Sequence, residues 1–189
     1  MGDMDNFNYL AVLISIILGL GITHLLSGLG RWVESRFSFP AYAPTILWVI
    51  TLLVIHVQTW WTMYGMRHHL DWTFLQFVVV LLQPITLFLL AAVVLPGPTS
   101  AVHDLKSNYF SQRHWFFGLF ITLLAVSVCK DIVMTGSLPT TTNLLFHALF
   151  LVIATGGMIT ARESYHRFIA YISALLIAVY IAFLFPELR

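Results

Sequence analysis

Long apolar runs alternate with short polar segments along the chain, and this pattern predicts six membrane-spanning helices. A helix that crosses about 30 Å of hydrocarbon at about 1.5 Å per residue needs about 20 mostly apolar residues. Six stretches meet this requirement: residues 9–29, 44–65, 74–95, 115–134, 141–160 and 168–185. They are continuously apolar, unlike the alternating strands of an outer-membrane β-barrel. We therefore predict an all-α polytopic membrane protein, with residues 1–189 forming a single integral membrane domain, a compact six-helix bundle.

Composition agrees with this prediction and removes several classes of function. Of the 189 residues, 59% are hydrophobic and 9% are charged, and the mean hydropathy is +0.89. A soluble domain carries about 25% charged residues, so a water-soluble globule is excluded. A net charge of +1 on so apolar a chain also excludes a nucleic-acid-binding surface. Cys129 is the single cysteine of the sequence, which excludes an internal disulfide and a cysteine-cluster metal site.

The connection between the third and fourth predicted spans is long enough to have structure of its own. Val102, Leu105 and Tyr109 recur there at helical spacing, after Ser100 as a candidate N-cap. The spacing predicts a short amphipathic helix that lies in the membrane interface. An ordinary polar loop explains the same residues equally well.

Lysine and arginine residues are unevenly divided between the two ends of the predicted bundle. Cytoplasmic loops of membrane proteins carry the excess of positive charge. The richer end is therefore predicted to face the cytoplasm, and both termini the outer, periplasmic side of a bacterial inner membrane. The richer end holds Arg31, Arg36, Lys106, Arg113, Arg162 and Arg167, and the other end holds Arg67, Lys130 and Arg189.

Small residues recur along one face of two predicted helices. Helices in lipid pack through small residues and interhelical hydrogen bonds. Gly21 and Gly28 share a stripe of the first span. The sixth span has an alanine at every fourth position: Ala170, Ala174, Ala178 and Ala182. These faces are predicted to pack in the bundle interior, or to dock a second copy or another subunit of a membrane complex.

Several polar residues lie inside the predicted spans, where hydrocarbon disfavours them. An ionised residue at the centre of a span costs about 2.5–3.5 kcal/mol, so such residues usually face one another or a water-filled cavity. Counted from the outer ends of their spans, His56 and Gln83 lie about 13 Å deep and His147 about 9 Å deep. We predict one pocket in the outer leaflet, formed by His56, Gln83, Lys130, Asp131, Asn143 and His147.

Each of these residues also has a plainer explanation. A membrane histidine can hydrogen-bond a neighbouring helix without binding a ligand. Gln83 precedes Pro84, and its amide can satisfy backbone carbonyls that the proline leaves free. Lys130 beside Asp131 can extend its amine to water at the membrane surface.

Eight histidines in so apolar a chain raise the alternative of a b-type haem. Such a haem needs two axial histidines at matching depth on facing helices. His56 and His147 meet the depth requirement, and His24 with His114 would form a second site near the cytoplasm. Imidazole and carboxylate ligands suit zinc or copper, which makes three residues of an outer loop a weaker candidate metal site: His68, His69 and Asp71.

Enzyme motifs are lacking from the sequence. It contains no H-E-x-x-H, no G-x-S-x-G, no Walker loop and no dinucleotide fingerprint, so a non-enzymatic role is favoured. Histidine titrates near neutral pH, and the predicted pocket therefore suits passage or sensing of a proton, an ion or a small solute. A haem- or quinone-binding redox subunit and a structural subunit of a larger membrane complex are the alternatives.

Overall fold

Every regular element that the structure describes is helical. The computed structural model describes residues 3–34, 40–68, 71–95 and 104–184. The helices are α1 (Asp3–Glu34), α2 (Ala43–Met63), α3 (Phe74–Val94), α4 (Leu105–Thr135), α5 (Thr141–Ile159) and α6 (Glu163–Leu184), and a short 3-10 helix (Tyr64–His68) follows α2. All six α-helices are long and apolar enough to cross a membrane. The prediction of an all-helical chain with six potential spans is confirmed.

Local sequence signals account for several helix ends. The Thr73 hydroxyl accepts a hydrogen bond from the Gln76 backbone N–H at 3.2 Å, and Gln76 Oε1 accepts one from the Thr73 backbone N–H at 2.9 Å. This capping box satisfies two donors at the start of α3. Helix α4 ends at Gly136, whose φ of 70° is a left-handed conformation that favours glycine.

The segment predicted as a separate interfacial helix is instead the first part of α4. The Asp104 carboxylate accepts hydrogen bonds from the N–H groups of Lys106 and Ser107 at 3.0 and 3.3 Å, and so caps the helix. From Leu105 the helix runs unbroken for 31 residues, about 46 Å at 1.5 Å per residue. The helix that contains the predicted span 115–134 therefore begins ten residues earlier, since no proline or glycine interrupts it between Leu105 and Trp115. Ser100 and Val102 lie outside the described residues.

Five of the helices form a closed ring. Helix α2 packs against α3, α3 against α4, α4 against α5, α5 against α6, and α6 against α2. Helix α1 lies outside this ring and packs against α2 and α3. Consequently α2 has two buried sides, one that faces the ring interior and one that faces α1.

Aromatic side chains fill one end of the ring interior. The Trp48 ring centroid lies 5.1 Å from that of Phe116, 5.9 Å from that of Phe117 and 5.5 Å from that of Phe120. All four side chains are buried, and edge-to-face contacts of this kind are favourable. We call these four residues the aromatic plug. Gly157 makes room for it, because a Cβ atom there would lie 2.6 Å from Phe117 Cζ.

Beyond the plug, a buried histidine holds α4, α6 and the α5–α6 connection together. His166 Nε2 donates to the Thr160 carbonyl at 2.8 Å, and Nδ1 accepts from the Tyr109 hydroxyl at 2.9 Å. On the surface nearby, the Glu163 carboxylate forms ion pairs with Lys106 Nζ and Arg167 Nη2, at 2.6 Å each. We call this end of the bundle the plug end.

We expect Tyr109→Phe to lower the stability of the plug end by about 1 kcal/mol, because it leaves His166 Nδ1 buried without its donor. The measurement is thermal unfolding of the purified protein in detergent. Tyr171→Phe is the control, since Tyr171 is exposed on α6. Equal melting temperatures for the two variants would show that the hydrogen bond contributes nothing.

Candidate functional site

The other end of the ring encloses a cavity of about 550 Å³. Helices α2 to α6 and the α4–α5 loop all contribute to its wall. Ser137 and Leu138 of that loop line the cavity and are exposed, so the cavity opens at this surface, the mouth end of the bundle. Its deeper wall is apolar and reaches the plug: Ile55, Phe120, Leu123, Phe146, Phe150 and Ile177. We call this space the ring cavity.

Five of the six residues of the predicted pocket line the ring cavity. Asn143 and His147 are one helical turn apart at the start of α5 and therefore share a face. Lys130 and Asp131 lie near the end of α4, which packs against α5. Gln83 faces them from the middle of α3.

Lys130 lines the ring cavity, and its side chain reaches the neighbouring helix α3. Its Nζ donates to Gln83 Oε1 at 2.9 Å, and only 16% of its side chain is exposed. The contact joins α4 to α3. The amide oxygen of Gln83 is therefore used by a cation from another helix.

Asp131 extends this polar network at the mouth of the ring cavity, which we call the rim. Its Oδ1 lies 3.9 Å from Lys130 Nζ, and its Oδ2 accepts a hydrogen bond from Asn143 Nδ2 at 3.4 Å. Asn143 Oδ1 in turn accepts from the Tyr180 hydroxyl at 3.2 Å. Four helices, α3 to α6, are thus linked by polar side chains at one level of the ring cavity.

His147 presents one ring nitrogen for other partners. Its Nδ1 lies 2.9 Å from the backbone oxygen of Asn143, and a carbonyl can only accept, so Nδ1 carries the proton. In a neutral imidazole the other nitrogen is then an acceptor. Because the side chain lines the ring cavity, Nε2 is the atom available to a solute.

His56 lies outside the ring cavity, which corrects the predicted six-residue pocket. Its side chain is fully buried where α2 packs on α1. Nδ1 donates to the Leu52 carbonyl at 2.7 Å, and the ring fits against Gly21, where a Cβ atom would overlap Nε2. Ile55, the preceding residue, lines the cavity instead.

The predicted haem pairs do not meet across facing helices. His56 packs against α1, whereas His147 faces the ring cavity. His24 lies on α1 and the exposed His114 on α4, and these two helices do not pack against each other in the described part of the chain. His24 Nε2 is buried without a hydrogen-bond partner among the described residues.

The candidate metal site falls partly outside the described residues. His69 and the side chain of His68 belong to the undescribed part, and Asp71 is exposed. Within the described ranges, no group of three histidine, cysteine or acidic side chains could hold a metal ion. The metal hypothesis therefore stays a prediction.

The small-residue faces are divided between packing and exposure. A Cβ atom at Gly28 would overlap Leu95 Cδ1 just beyond α3, and one at Gly21 would overlap Nε2 of His56. Ala170 is buried on α6, but Ala178 and Ala182 are exposed. The two glycines are thus occupied by contacts within the chain.

Tyr180 and the aromatic plug are parts of this region that the sequence did not single out. Aromatic residues inside an apolar run are as compatible with a lipid-facing position as with an interior one.

Comparison with protein-family models, with curated proteins and with solved structures finds no match to the chain. The ring cavity and the polar side chains at its mouth are the candidate functional site of the chain.

Proposed function

We propose that this chain is a solute-binding protein of the bacterial inner membrane, and that the ring cavity receives a small solute for passage or sensing. What supports the proposal is a cavity of about 550 Å³ with an apolar wall and hydrogen-bonded polar side chains at its mouth. Small-molecule sites are typically of about 300–1,000 Å³, mostly apolar, with a few placed polar groups.

Sidedness follows from the uneven distribution of basic residues. The mouth end is the end with fewer lysines and arginines, and the positive-inside rule places such an end outside the cytoplasm. We therefore propose that the cavity opens to the periplasm and that both termini lie on that side. The aromatic plug separates the cavity from the plug end, so passage to the cytoplasm would require the plug to move.

Cysteine accessibility tests whether the ring cavity is filled with water. In a Cys129→Ser background, we expect Ser127→Cys to react with a charged, membrane-impermeant methanethiosulfonate added to the periplasmic side. The reason is that Ser127 lines the cavity, and water there would allow the thiol to ionise and the reagent to reach it. Reaction is measured as the mass shift of the purified protein.

The matched control is Ala125→Cys in the same background. Ala125 lies on the same helix but is exposed on the outer surface of the bundle, where hydrocarbon should surround it. We expect it to stay unmodified. Failure of the cysteine at 127 to react, or equal reaction at both positions, would contradict a cavity open to one membrane face.

A further inference from the structure

The two charged side chains of the ring cavity restrict the kind of solute that fits it. Lys130 and Asp131 are consecutive on α4, and both line the cavity. Their closest atoms, Nζ and Oδ1, are 3.9 Å apart, whereas a hydrogen-bonded ion pair has a separation of about 2.7–2.9 Å. A cation and an anion thus lie side by side without a hydrogen bond to each other.

Carboxamide groups hold the two charges in these positions. Gln83 Oε1 accepts from Lys130 at 2.9 Å, and Asn143 Nδ2 donates to Asp131 at 3.4 Å. Neither partner neutralises the charge that it contacts. Both charges therefore remain available for hydrogen bonds to oppositely charged groups of a solute.

A solute with a single charge fits this pair poorly. A carboxylate that approaches Lys130 also approaches Asp131, and because Coulomb energies depend on distance, attraction and repulsion are of similar size. An amine that approaches Asp131 meets the same difficulty at Lys130. A solute with adjacent carboxylate and ammonium groups satisfies both residues and brings no net charge into the membrane.

The rest of the cavity indicates what else the solute carries. Phe120 precedes Lys130 by ten positions on α4, a rise of about 15 Å. Phe146, Phe150 and Ile177 line the cavity on other helices. The space below the charged rim is thus deep and apolar, which suits a large hydrocarbon or aromatic group.

Resting on the proposed function, we infer that the ring cavity binds the zwitterion of an α-amino acid with a large apolar side chain. The carboxylate accepts from Lys130 Nζ, and the ammonium group donates to the Asp131 carboxylate. The side chain extends from this rim toward Phe120. Gln83 and Asn143 keep the two charged side chains apart while the site is empty.

A competition experiment on the wild-type protein tests the zwitterion requirement. Radiolabelled L-phenylalanine is bound to protein in lipid nanodiscs and displaced by unlabelled compounds. We expect L-leucine to compete, and 3-phenylpropionate, which lacks the ammonium group, and phenethylamine, which lacks the carboxylate, to compete at least tenfold less well. Equal competition by either single-charge analogue would overturn the zwitterion inference and leave solute binding intact.

Two variants assign the charges to residues. Lys130→Met and Asp131→Asn should each weaken L-phenylalanine binding at least tenfold. Asp131→Asn should also strengthen the binding of 3-phenylpropionate relative to that of L-phenylalanine, because it removes the repulsion between Asp131 and the carboxylate of the ligand. Misfolding cannot produce that change of preference, and its absence in a protein that still binds would overturn the assignment. Lys106→Met, at the plug end, is the control and should bind normally.

Failure of the amino-acid inference and failure of the proposed function can be told apart by combining the binding and labelling experiments. If neither L-phenylalanine nor L-leucine binds the wild-type protein, the amino-acid inference is wrong. Reaction of Ser127→Cys with the impermeant reagent would then still support a water-filled cavity for another solute. An unreactive cysteine would overturn both.

Discussion

Gly21→Ala should destabilise the protein, whereas Gly19→Ala, on the same helix, should not. A Cβ atom at position 21 would overlap Nε2 of His56 and lie 3.0 Å from its Cδ2, while one at position 19 meets nothing within 4 Å in the described structure. His56 is fully buried and bonded to the Leu52 carbonyl, so its ring cannot move aside freely. Overpacking of this kind costs about 1–3 kcal/mol, and alanine in open helix gains up to about 1 kcal/mol.

Thermal unfolding in detergent measures this difference, and a double variant locates its cause. His56→Ala removes the ring that the new methyl group meets. In the Gly21→Ala/His56→Ala protein the two effects should therefore be non-additive, since residues in direct contact couple by about 0.5–3 kcal/mol. Additive effects, or equal melting temperatures for Gly19→Ala and Gly21→Ala, would show that α1 does not pack on α2 through this contact.

Hydropathy was sufficient to predict the helices because each span is a continuous apolar run. The end of α4 follows a local rule, since Gly136 adopts the left-handed conformation that favours glycine. The start of α4 could not be predicted from hydropathy. Polar residues such as Lys106 continue a helix beyond the membrane as readily as they end one, and the Asp104 cap decides where it starts.

The candidate site was predictable in depth but not in rotation. Counting residues along a span gives one coordinate, which brought Gln83, Lys130 and His147 to the mouth-end half of the bundle. The angular coordinate depends on which helices are neighbours. Because α1 packs outside the ring, α2 buries two sides, and His56 lies on the one that faces α1 while Ile55 lies on the other.

Tryptophans on α2 illustrate the same limit for packing. Trp48 and Trp60 both lie in apolar sequence, yet Trp48 is 1% exposed and Trp60 is 53% exposed. A hydrocarbon solvent removes the usual signal, because it accepts an apolar ring as readily as the protein interior does. What buries Trp48 is its contact with the rings of Phe116, Phe117 and Phe120, which the local sequence around Trp48 does not reveal.

Trp48→Ala should therefore be far more damaging than Trp60→Ala. Truncating a buried tryptophan costs up to about 3–5 kcal/mol in proteins, much of it from lost dispersion contacts with the surrounding rings, which lipid cannot replace in an enclosed interior. A substitution on an exposed surface stays within about 0.5 kcal/mol. Both values are obtained from thermal unfolding in the same detergent.

The same pair of variants tests whether the aromatic plug is the barrier of the ring cavity. With Trp48 removed, α2 no longer fills the space against α4, and the cavity should extend toward His166 and the plug end. A cysteine at position 127 should then react with the impermeant reagent added on the side of the membrane that the plug end faces, which it should not do with Trp48 present or with Trp60→Ala. Unchanged sidedness in a folded Trp48→Ala protein would mean that the layer of Tyr109 and His166 closes the bundle by itself, because those two residues form the next layer beyond Phe117.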